Sequence, residues 1–367
     1  MPLIVLSFDG VKDTEFEKMA ENSKKYPNIA KFKKDAVYYN NVSTTFVSNT
    51  YPIHSCISTG KLPHEHGIIS NLQGVTEQGE VWAQDAGMIR SKTIWDAAAQ
   101  NGLRVASIAW PVTCKANIKY NLPEVHVLKG QNRLIEHLKN GSFGFQFRSF
   151  LRHKHKLNGL TEPNLDDFLV SCALDVLKKK NTDLLLLHML AYDFICHECG
   201  LDGNKLEFAK ASLDKNLGRI LEVTGSDATV LIFSDHGHLN VKENIDLNKI
   251  FGKNSFEQCG GSAFALNIDK GKNLESFPWF GRYLRQEEMQ ESGYSIKSKF
   301  GIGAKVGFSF GTGRHKANHG YPKDYPEYNV FYAIKNPKTQ HKPIFNDIRN
   351  VTAIIAKELN LDMDIQF

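Results

Sequence analysis

Residues 3–10 have the sequence Leu3-Ile4-Val5-Leu6-Ser7-Phe8-Asp9-Gly10, an apolar run that ends in an acidic residue and a glycine. A near-continuous apolar run of this length is typical of a strand buried on both faces of a parallel sheet. It is too short for the apolar part of a signal peptide, so we expect a strand and no leader. The aspartate after this strand would lie at the carboxyl edge of the sheet, where α/β proteins place their sites.

Six further apolar runs follow, with helical patterns between them. These predicted strands lie at residues 36–42, 104–109, 184–188, 229–234, 262–268 and 329–333. Predicted helices lie at residues 95–101, at 345–359 and after Asp202, where leucine and isoleucine repeat on one face. Alternating strands and helices predict an α/β fold with a central, mostly parallel sheet flanked by helices.

Two regions interrupt the alternation within what we expect to be a single catalytic domain of residues 1–367. Residues 111–164 are rich in aromatic and basic side chains, including the run Arg152-His153-Lys154-His155-Lys156. Residues 270–315 are rich in glycine and lack a clear period. We expect a cap insertion at 111–164 and an irregular second insertion at 270–315, both over the end of the sheet that carries the site. For 111–164, a surface excursion without function is an equal alternative, and a basic run is more often a solvated face than a binding patch.

The bulk composition is that of an ordinary globular protein. The chain has 367 residues and a formal net charge of +5. This mild positive charge is compatible with an anionic substrate and does not by itself predict binding to a nucleic-acid polymer. No apolar run is long enough to cross a bilayer, so no membrane partner is expected. The six cysteines lack the spacing of a disulfide framework, which predicts a reduced, cytoplasmic protein.

A hydroxyl group stands at the predicted start of a helix in Ser48-Asn49-Thr50-Tyr51-Pro52-Ile53-His54. Pro52 can open a helix, and Thr59-Gly60 can close it. Thr50 would then face free backbone N–H groups and the positive end of the helix dipole, which favours the binding of a phosphate. A threonine in this position is more often only a helix cap.

Acidic and histidine residues recur at four other points along the chain. These segments are Phe8-Asp9-Gly10, Asp193-Phe194-Ile195-Cys196-His197, Phe233-Ser234-Asp235-His236-Gly237-His238 and Asn318-His319-Gly320-Tyr321. The three acidic segments begin where predicted strands end, so a parallel sheet would bring them to the same edge. Each segment alone has an ordinary explanation as a turn or a capped loop. Their occurrence together favours a shared site.

Carboxylates and imidazoles at one edge of a sheet indicate a metal centre. Such oxygen and nitrogen donors suit zinc, with manganese or iron as alternatives. Asp193 and His197 lie four residues apart and would share one face of a helical turn. Two divalent ions about 4 Å apart can hold the attacking and leaving oxygens of a phosphoryl transfer. Cys196 and Cys199 form a single CxxC pair with no second pair, and we interpret them as incidental neighbours.

The ordered set of segments resembles the alkaline phosphatase superfamily, and most closely its type I phosphodiesterase/nucleotide pyrophosphatase branch. The residues that carry the resemblance are Phe8-Asp9-Gly10, Thr50-Tyr51-Pro52-Ile53-His54, Ser58-Thr59-Gly60, His66-Gly67-Ile68-Ile69-Ser70-Asn71, Trp110-Pro111, Asp193 with His197, Ser234-Asp235-His236-Gly237 and His319-Gly320-Tyr321. They occur in family order over nearly the whole chain. The resemblance implies an alkaline-phosphatase-like sandwich, in which helices flank the mostly parallel sheet and a cap insertion is added.

The resemblance also implies a role for each site residue. The first group of metal ligands, which includes the nucleophile, comprises Asp9, Thr50, Asp235 and His236. The second group comprises Asp193, His197 and His319. Asn71 matches an asparagine that hydrogen-bonds a phosphate oxygen. Tyr51 would stack on a base or another flat leaving group, with a role as a packing aromatic as an equal alternative.

The implied activity is metal-dependent hydrolysis of phosphodiester or pyrophosphate bonds. A divalent ion lowers the pKa of a bound hydroxyl, so Thr50 can attack phosphorus and form a phosphothreonine that water then hydrolyses. The expected partners are two divalent ions, zinc or else manganese, and a small phosphorylated substrate such as a nucleotide or another phosphodiester.

Other activities remain open from the sequence. A phosphomonoesterase and a phosphonoacetate hydrolase of the same superfamily share the threonine and the ligand set. A non-catalytic protein that binds metal and nucleotide is a lower alternative. A sulfatase is disfavoured because Thr50 stands where that group has a modified cysteine or serine, and a phosphoglycerate mutase is disfavoured because that group uses a serine. The oligomeric state does not follow from the sequence.

Overall fold

A seven-stranded sheet forms the centre of the molecule. The structure is a computed structural model that describes residues 2–157, 164–269, 273–325 and 328–365. The strands in these ranges are β1 Leu3–Phe8, β2 Ala36–Val42, β3 Leu72–Thr76, β4 Gly79–Trp82, β5 Val105–Ile108, β6 Tyr120–Leu122, β7 Leu184–Met189, β8 Thr229–Phe233, β9 Leu239–Ile245, β10 Phe256–Cys259, β11 Ser262–Ala265, β12 Phe280–Tyr283, β13 Gly301–Ala304, β14 Gly307–Phe310, β15 Ala317–Asn318 and β16 Val330–Lys335. The α-helices are α1 Asp13–Glu21, α2 Pro27–Asp35, α3 Thr50–Thr59, α4 Pro63–His66, α5 Ile94–Gln100, α6 Arg133–Asn140, α7 Phe143–His153, α8 Asn164–Lys178, α9 Ala191–Cys199, α10 Asn204–Thr224, α11 Leu247–Phe251, α12 Gln286–Glu291 and α13 Asn350–Leu359.

The central sheet has the strand order β2-β16-β8-β1-β7-β5-β6. From β8 to β6, each strand is parallel to its neighbour. Only β16, which is antiparallel to both β8 and β2, breaks the pattern among the paired strands of this sheet. The predicted α/β fold with a mostly parallel central sheet is therefore confirmed.

The side chains of β1 alternate between two hydrophobic layers. Ile4, Leu6 and Phe8 belong to the layer that also contains residues of α1, α2, α8, α9 and α10. Leu3 and Val5 belong to the opposite layer, with residues of α3, α5 and α13. Burying such a side chain contributes about 1.5–3 kcal/mol, and all six residues of β1 are buried. Burial on both faces explains why the strand has a continuous apolar sequence.

A second β region follows the central strands in the chain. The strands β10, β11, β13 and β12 form an antiparallel sheet around a separate hydrophobic cluster. The strand predicted at 262–268 is β11 of this sheet and not part of the central sheet. The expectation that 270–315 is irregular was wrong for its described part, residues 273–315, because β12, β13 and β14 form there. Glycines in these strands carry no side chain and therefore hide the alternating pattern of a strand. Close packing requires them, since a Cβ at Gly303 would lie 2.8 Å from the Pro322 Cγ.

The region expected to form a cap contributes to the central sheet as well. Its described part, residues 111–157, contains β6, α6 and α7, and β6 pairs in parallel with β5 at the edge of the sheet. Residues 158–163 lie outside the described residues. The boundaries of the cap insertion and the assignment of one domain to residues 1–367 stay predictions.

The last helix begins later than predicted. Instead of starting at residue 345, α13 starts at Asn350. The Asn350 Oδ1 accepts hydrogen bonds from the backbone N–H groups of Ile344 and Phe345, at 2.8 and 2.9 Å. These bonds hold the segment before α13 in a loop, because the N–H groups of Ile344 and Phe345 bind a side-chain oxygen instead of backbone carbonyls of a helix. In the described part of the chain, no helix has both the length and the apolar character needed to span a bilayer.

Candidate metal centre and nucleophile

The carboxyl edge of the central sheet gathers most of the predicted site residues. Asp9 directly follows β1, and Asp235 follows β8 after one residue. Asp193 lies in the first turn of α9, just after β7. Because β1 lies between β7 and β8 and is parallel to both, the ends of the three strands are adjacent.

Asp9, Asp235 and His236 form the first cluster, here called the Asp9 cluster. Each offers a ligand atom, and these atoms lie within 4.8 Å of one another. The His236 Nε2 is 3.4 Å from the Asp9 Oδ1 and 3.4 Å from the Asp235 Oδ2. The Asp235 Oδ1 accepts hydrogen bonds from the N–H groups of Gly10 and His236, at 3.1 and 3.0 Å. These bonds fix the carboxylate so that its other oxygen faces the cluster.

Two oxygens of the Asp9 cluster are buried without a hydrogen-bond partner. They are the Asp9 Oδ1 and the Asp235 Oδ2. A buried carboxylate oxygen without a partner is costly, so such atoms normally meet a donor or a cation. Two carboxylates and an imidazole suit a divalent ion such as zinc or manganese. The donor set therefore fits the metal that the sequence predicts.

Burial shifts the pKa values in this region. It raises the pKa of the Asp9 carboxyl well above its ordinary range, and the charges of Asp235 and Asp193 raise it further. Burial lowers the pKa of His236, and it lowers the pKa of His319 well below the ordinary value. Both imidazoles are therefore held neutral, which is the form that binds metals.

Asp193, His197 and His238 form a second cluster, here called the Asp193 cluster, whose ligand atoms also lie within 4.8 Å of one another. The Asp193 Oδ1 is 3.4 Å from the His197 Nε2 and 2.9 Å from the His238 Nε2. The His197 Nδ1–H donates to the Ala317 carbonyl at 3.0 Å. This bond orients the ring and leaves its Nε2 as the ligand atom.

His319 lies between the two clusters. Its ring stacks on His236 at a centroid distance of 4.0 Å and contacts His197 at 5.0 Å. Its ligand atom forms a third possible group with those of Asp193 and His236. The His319 Nδ1–H points to the Ser48 carbonyl at 3.0 Å, which again leaves Nε2 free. The ligand set expected from the sequence, Asp193 with His197 and His319, thus spans two of these groups, and its assignment stays a prediction.

Thr50 is the first residue of α3 and is buried. Its Oγ1 lies 3.2 Å from the His236 Nε2, so the hydroxyl faces the Asp9 cluster. The helix that follows ends at Gly60, which has the left-handed conformation with φ 73°. The predicted helix with Thr50 at its N-terminus is confirmed, and its dipole favours an anion beside the hydroxyl.

Asn71 lies beside the start of α3, as the resemblance implies. Its Oδ1 accepts a hydrogen bond from the Tyr51 N–H at 2.9 Å. The assignment of oxygen and nitrogen in the amide follows from this bond. Because the oxygen is engaged, the NH₂ group remains available to donate to an anion at the helix start. The phosphate-binding role itself stays a prediction.

The Tyr51 side chain is covered by two other aromatic residues. Its ring contacts Trp82 at a centroid distance of 5.3 Å and His126 at 6.0 Å. These two rings stack on each other at 3.7 Å with an interplanar angle of 7°. Only 1% of Tyr51 is exposed, which favours a packing role over stacking on a ligand.

The sequence analysis assigned no role in the site to three histidines that lie beside the clusters or within them: His54, His188 and His238. The His188 Nε2 lies 3.0 Å from the Asp9 Oδ2, and its Nδ1 lies 3.2 Å from the Ala109 carbonyl. His54 contacts the Thr50 carbonyl at 2.8 Å and the Ser7 hydroxyl at 3.0 Å. The sequence carried a signal for two of these histidines. His188 interrupts a leucine-rich strand, and His54 lies four residues after Thr50 on the same helix.

Two glycines allow the backbone to approach the site. Gly10 has φ +74°, and a Cβ there would lie 2.4 Å from the His238 Cε1 and 3.3 Å from the Asp193 Cβ. Gly320, next to His319, has φ +82°, and its Cβ would lie 1.9 Å from the Cys259 carbonyl oxygen. A larger residue at either position would be strained. At Gly10 it would displace His238 of the Asp193 cluster, and at Gly320 it would collide with the Cys259 backbone.

Comparison with known proteins gives a family and a fold. The model of a family described as type I phosphodiesterase / nucleotide pyrophosphatase matches residues 3–325. Over 375 residues the chain is 22% identical to the bis(5'-adenosyl)-triphosphatase enpp4 of Xenopus laevis, with 95% of this chain and 75% of that protein covered. Over 253 residues it is 24% identical to venom phosphodiesterase 2 of Crotalus adamanteus, with 64% of this chain and 26% of that protein covered. The match thus spans about a quarter of the length of the venom phosphodiesterases.

Two solved structures illustrate the likeness in fold. Murine ectonucleotide pyrophosphatase/phosphodiesterase 5, in an inactive form in complex with AMP, has a TM-score of 0.66 and 17% identity, covering 100% of this chain and 97% of that chain. Phosphonoacetate hydrolase from Sinorhizobium meliloti, in complex with phosphonoacetate, has a TM-score of 0.70 and 15% identity, covering 98% of this chain and 95% of that chain. At these identities the likeness is one of fold, and it confirms the alkaline-phosphatase-like architecture.

Proposed function

The chain belongs to the type I phosphodiesterase/nucleotide pyrophosphatase family, and from this premise we propose that it is a metal-dependent hydrolase of phosphodiester or pyrophosphate bonds. The reaction passes through a phosphothreonine on Thr50. The observation that carries the proposal is the position of the Thr50 hydroxyl, which lies at the start of a helix and 3.2 Å from the His236 Nε2 of the Asp9 cluster.

Two divalent ions are part of the proposal, zinc in the first place and manganese as the alternative. The residues that would hold one ion are Asp9, Thr50, Asp235 and His236. The residues that would hold the other are Asp193, His197 and His319. Divalent ions bound there would act as Lewis acids that lower the pKa of a hydroxyl and neutralise charge on phosphoryl oxygens.

The protein side chains supply position and hydrogen bonds. The Thr50 Oγ1 attacks phosphorus as the bond to the leaving oxygen breaks, and water then hydrolyses the phosphothreonine and restores the hydroxyl. Backbone N–H groups at the start of α3 and the Asn71 amide donate to the phosphoryl oxygens, where charge gathers in the transition state. His54 holds the carbonyl of Thr50 and so helps to orient the nucleophile.

Nucleotides are the substrates that the relatives favour. The enpp4 relative is named for cleavage of a dinucleoside triphosphate, and the ectonucleotide pyrophosphatase/phosphodiesterase structure holds AMP. We therefore propose a nucleotide or another small phosphodiester as the substrate. Phosphonoacetate hydrolysis is the second candidate, since the phosphonoacetate hydrolase has a TM-score as high as that of the nucleotide-binding structure.

A metal analysis followed by a small substrate panel tests the proposal. The purified chain is expected to contain two divalent ions and to hydrolyse bis-p-nitrophenyl phosphate faster than p-nitrophenyl phosphate or phosphonoacetate. A preference for p-nitrophenyl phosphate would support a phosphomonoesterase instead, and a preference for phosphonoacetate would support the second candidate. A chain that binds no metal and cleaves none of the three after zinc or manganese addition would revive the non-catalytic alternative.

The cellular location is a separate proposal. We propose a cytoplasmic location because all six cysteines are free thiols in the structure and five of them are buried. Cell fractionation tests this, and recovery in a secreted or membrane fraction would contradict it.

A further inference from the structure

His238 lies two residues after His236 and is fully buried. It belongs to the Asp193 cluster, but it is not among the residues proposed above to hold the two ions. Its Nδ1–H donates a hydrogen bond to the Gly10 carbonyl at 3.2 Å. The Nε2 therefore carries a lone pair. This atom lies 2.9 Å from the Asp193 Oδ1. Although they are so close, neither the His238 Nε2 nor the Asp193 Oδ1 has a hydrogen-bond partner among the described residues.

Two buried acceptor atoms at this distance repel each other unless a cation lies beside both of them. The Asp193 Oδ1 also lies 3.4 Å from the His197 Nε2, whose ring is oriented by the Ala317 carbonyl. In a tetrahedral zinc site with metal–ligand distances of about 2.0–2.1 Å, neighbouring ligand atoms are about 3.3 Å apart. The distances of 2.9 and 3.4 Å lie on either side of that value.

The backbone is also built to admit this ring. A Cβ at Gly10 would lie 2.4 Å from the His238 Cε1 and 2.8 Å from its Nδ1. Only glycine therefore leaves room for the imidazole beside Asp193. The same glycine orients the ring through its carbonyl oxygen and orients Asp235 through its N–H group.

We propose that the His238 Nε2 is a protein ligand of the divalent ion held by Asp193 and His197. The inference rests on the proposed two-metal function and adds a ligand to it. An additional imidazole raises the affinity of the site for its ion, and its loss should weaken the binding of that ion alone. The Asp9 cluster, which does not include His238, keeps its own ion.

Metal binding by variants tests the inference. Wild type, His238→Ala, His238→Gln and the control His315→Ala are stripped with a chelator, checked for folding by circular dichroism, and titrated with Zn²⁺ against a chromophoric chelator. His315 is a matched control because its ring contacts His197 at a centroid distance of 4.6 Å without belonging to a ligand group. Wild type and the control are expected to bind two ions. Both His238 variants should bind one ion normally and the other more weakly, by at least the roughly 10- to 100-fold that loss of a group supporting a ligand costs.

A second readout does not depend on the folding of a variant. The absorption of Co²⁺ loaded into wild type reports the ligand field of each site, and anomalous diffraction from the Zn²⁺-loaded wild type locates the ions. An ion about 2.0–2.1 Å from the His238 Nε2 is expected. An ion well beyond bonding distance from that atom, or full zinc affinity and an unchanged Co²⁺ spectrum in His238→Ala, would overturn the inference while leaving the two-metal proposal intact. A wild-type chain that binds no ion would overturn the proposed function itself.

Discussion

The Asp9 cluster and the Asp193 cluster are assembled in different ways. The first is built at the ends of two adjacent parallel strands, and the side chains of Asp9 and His236 are 3% and 0% exposed. The second is built on α9 and on the loop between β8 and β9. The side chains of Asp193 and His197 are 16% and 19% exposed, whereas that of His238 is buried. The residues of the Asp9 cluster are fixed by the strands of the buried central sheet. Those of the Asp193 cluster depend on α9 and on contacts such as that of His197 with the Ala317 carbonyl. We therefore expect the Asp193 cluster to exchange its ion more readily.

The largest expected effect is on kcat, and it distinguishes the proposed role of Thr50 from that of the two clusters. Thr50→Ala should lower kcat by roughly 10³-fold or more, because the proposed phosphothreonine could not form. The metal content should stay at the wild-type value, since carboxylates and imidazoles remain in both clusters. Steady-state kinetics and elemental analysis on the same sample measure the two effects. Thr50→Ser, which keeps a hydroxyl, is the control and should retain more activity; wild-type turnover in Thr50→Ala would remove Thr50 from the mechanism.

Asn71 should matter for the transition state and not for either cluster. Asn71→Ala should lower kcat by roughly 10²-fold, because one donor to the phosphoryl oxygens is lost. Zinc stoichiometry and affinity should not change, since Asn71 contacts the Tyr51 N–H and no metal-binding side chain. Asn49→Ala is a less suitable control because Asn49 contacts His319. Asn101→Ala is preferred, because the Asn101 amide lies at the end of α5 and donates to the Asn360 carbonyl, away from both clusters. An unchanged kcat would show that the start of α3 binds the phosphoryl group without Asn71.

His188 should support only the Asp9 cluster. Its Nε2 lies 3.0 Å from the Asp9 Oδ2, and loss of such a supporting group typically weakens metal binding 10- to 100-fold. His188→Gln should therefore lower the affinity of the Asp9 cluster for its proposed ion and leave the affinity of the Asp193 cluster unchanged. Competition titration with Zn²⁺ measures both affinities, and the half-buried His64→Gln serves as the control. Equal weakening of both ions would mean that the two clusters are not independent.

The smallest expected effect concerns the pH dependence of stability in the metal-free chain. Burial lowers the pKa of His66 to about 3 and that of His54 to about 3. In the unfolded chain a histidine protonates near pH 6.5. Between these values the unfolded state binds more protons, so each histidine should lower the free energy of unfolding by about 1.4 kcal/mol per pH unit as the pH falls below about 6.5.

Urea unfolding at several pH values, for wild type and His66→Gln, isolates the contribution of His66 to the pH dependence of the free energy of unfolding. The raised pKa of Asp9 acts in the opposite direction, because its contribution to stability is present at low pH and is lost as the pH rises through the native pKa. The difference between the two proteins removes the Asp9 term. His66→Gln should show a shallower loss of stability on acidification, and identical slopes would mean that His66 is already protonated in the native state.

The two clusters also differ in how far the sequence predicted them. Asp9, Asp235 and His236 follow buried strands whose pattern is visible in the sequence, and parallel strands bring their carboxyl ends together. No role was assigned to His238 from the sequence, because the contacts that suggest one, with the Gly10 carbonyl and with Asp193, involve residues far from it in the chain. In the small antiparallel sheet, β11 was predicted, whereas β12 and β13 were missed because glycines at positions such as 303 carry no side-chain pattern. His188 was not recognised as a supporting residue because a histidine in a strand has no pattern that names its partner.

By itself, the sequence determined the α/β class, the strand ends that bear acids, and the helix that begins at Thr50. These features follow from local periodicity and from turn chemistry, which act over a few residues. Only the tertiary structure decided which imidazoles face which carboxylates, because the ring orientation of His197, His238 and His319 is set by backbone carbonyls contributed by remote segments. Thr50 could therefore be predicted as the nucleophile from the sequence, whereas the arrangement of side chains around it required the fold.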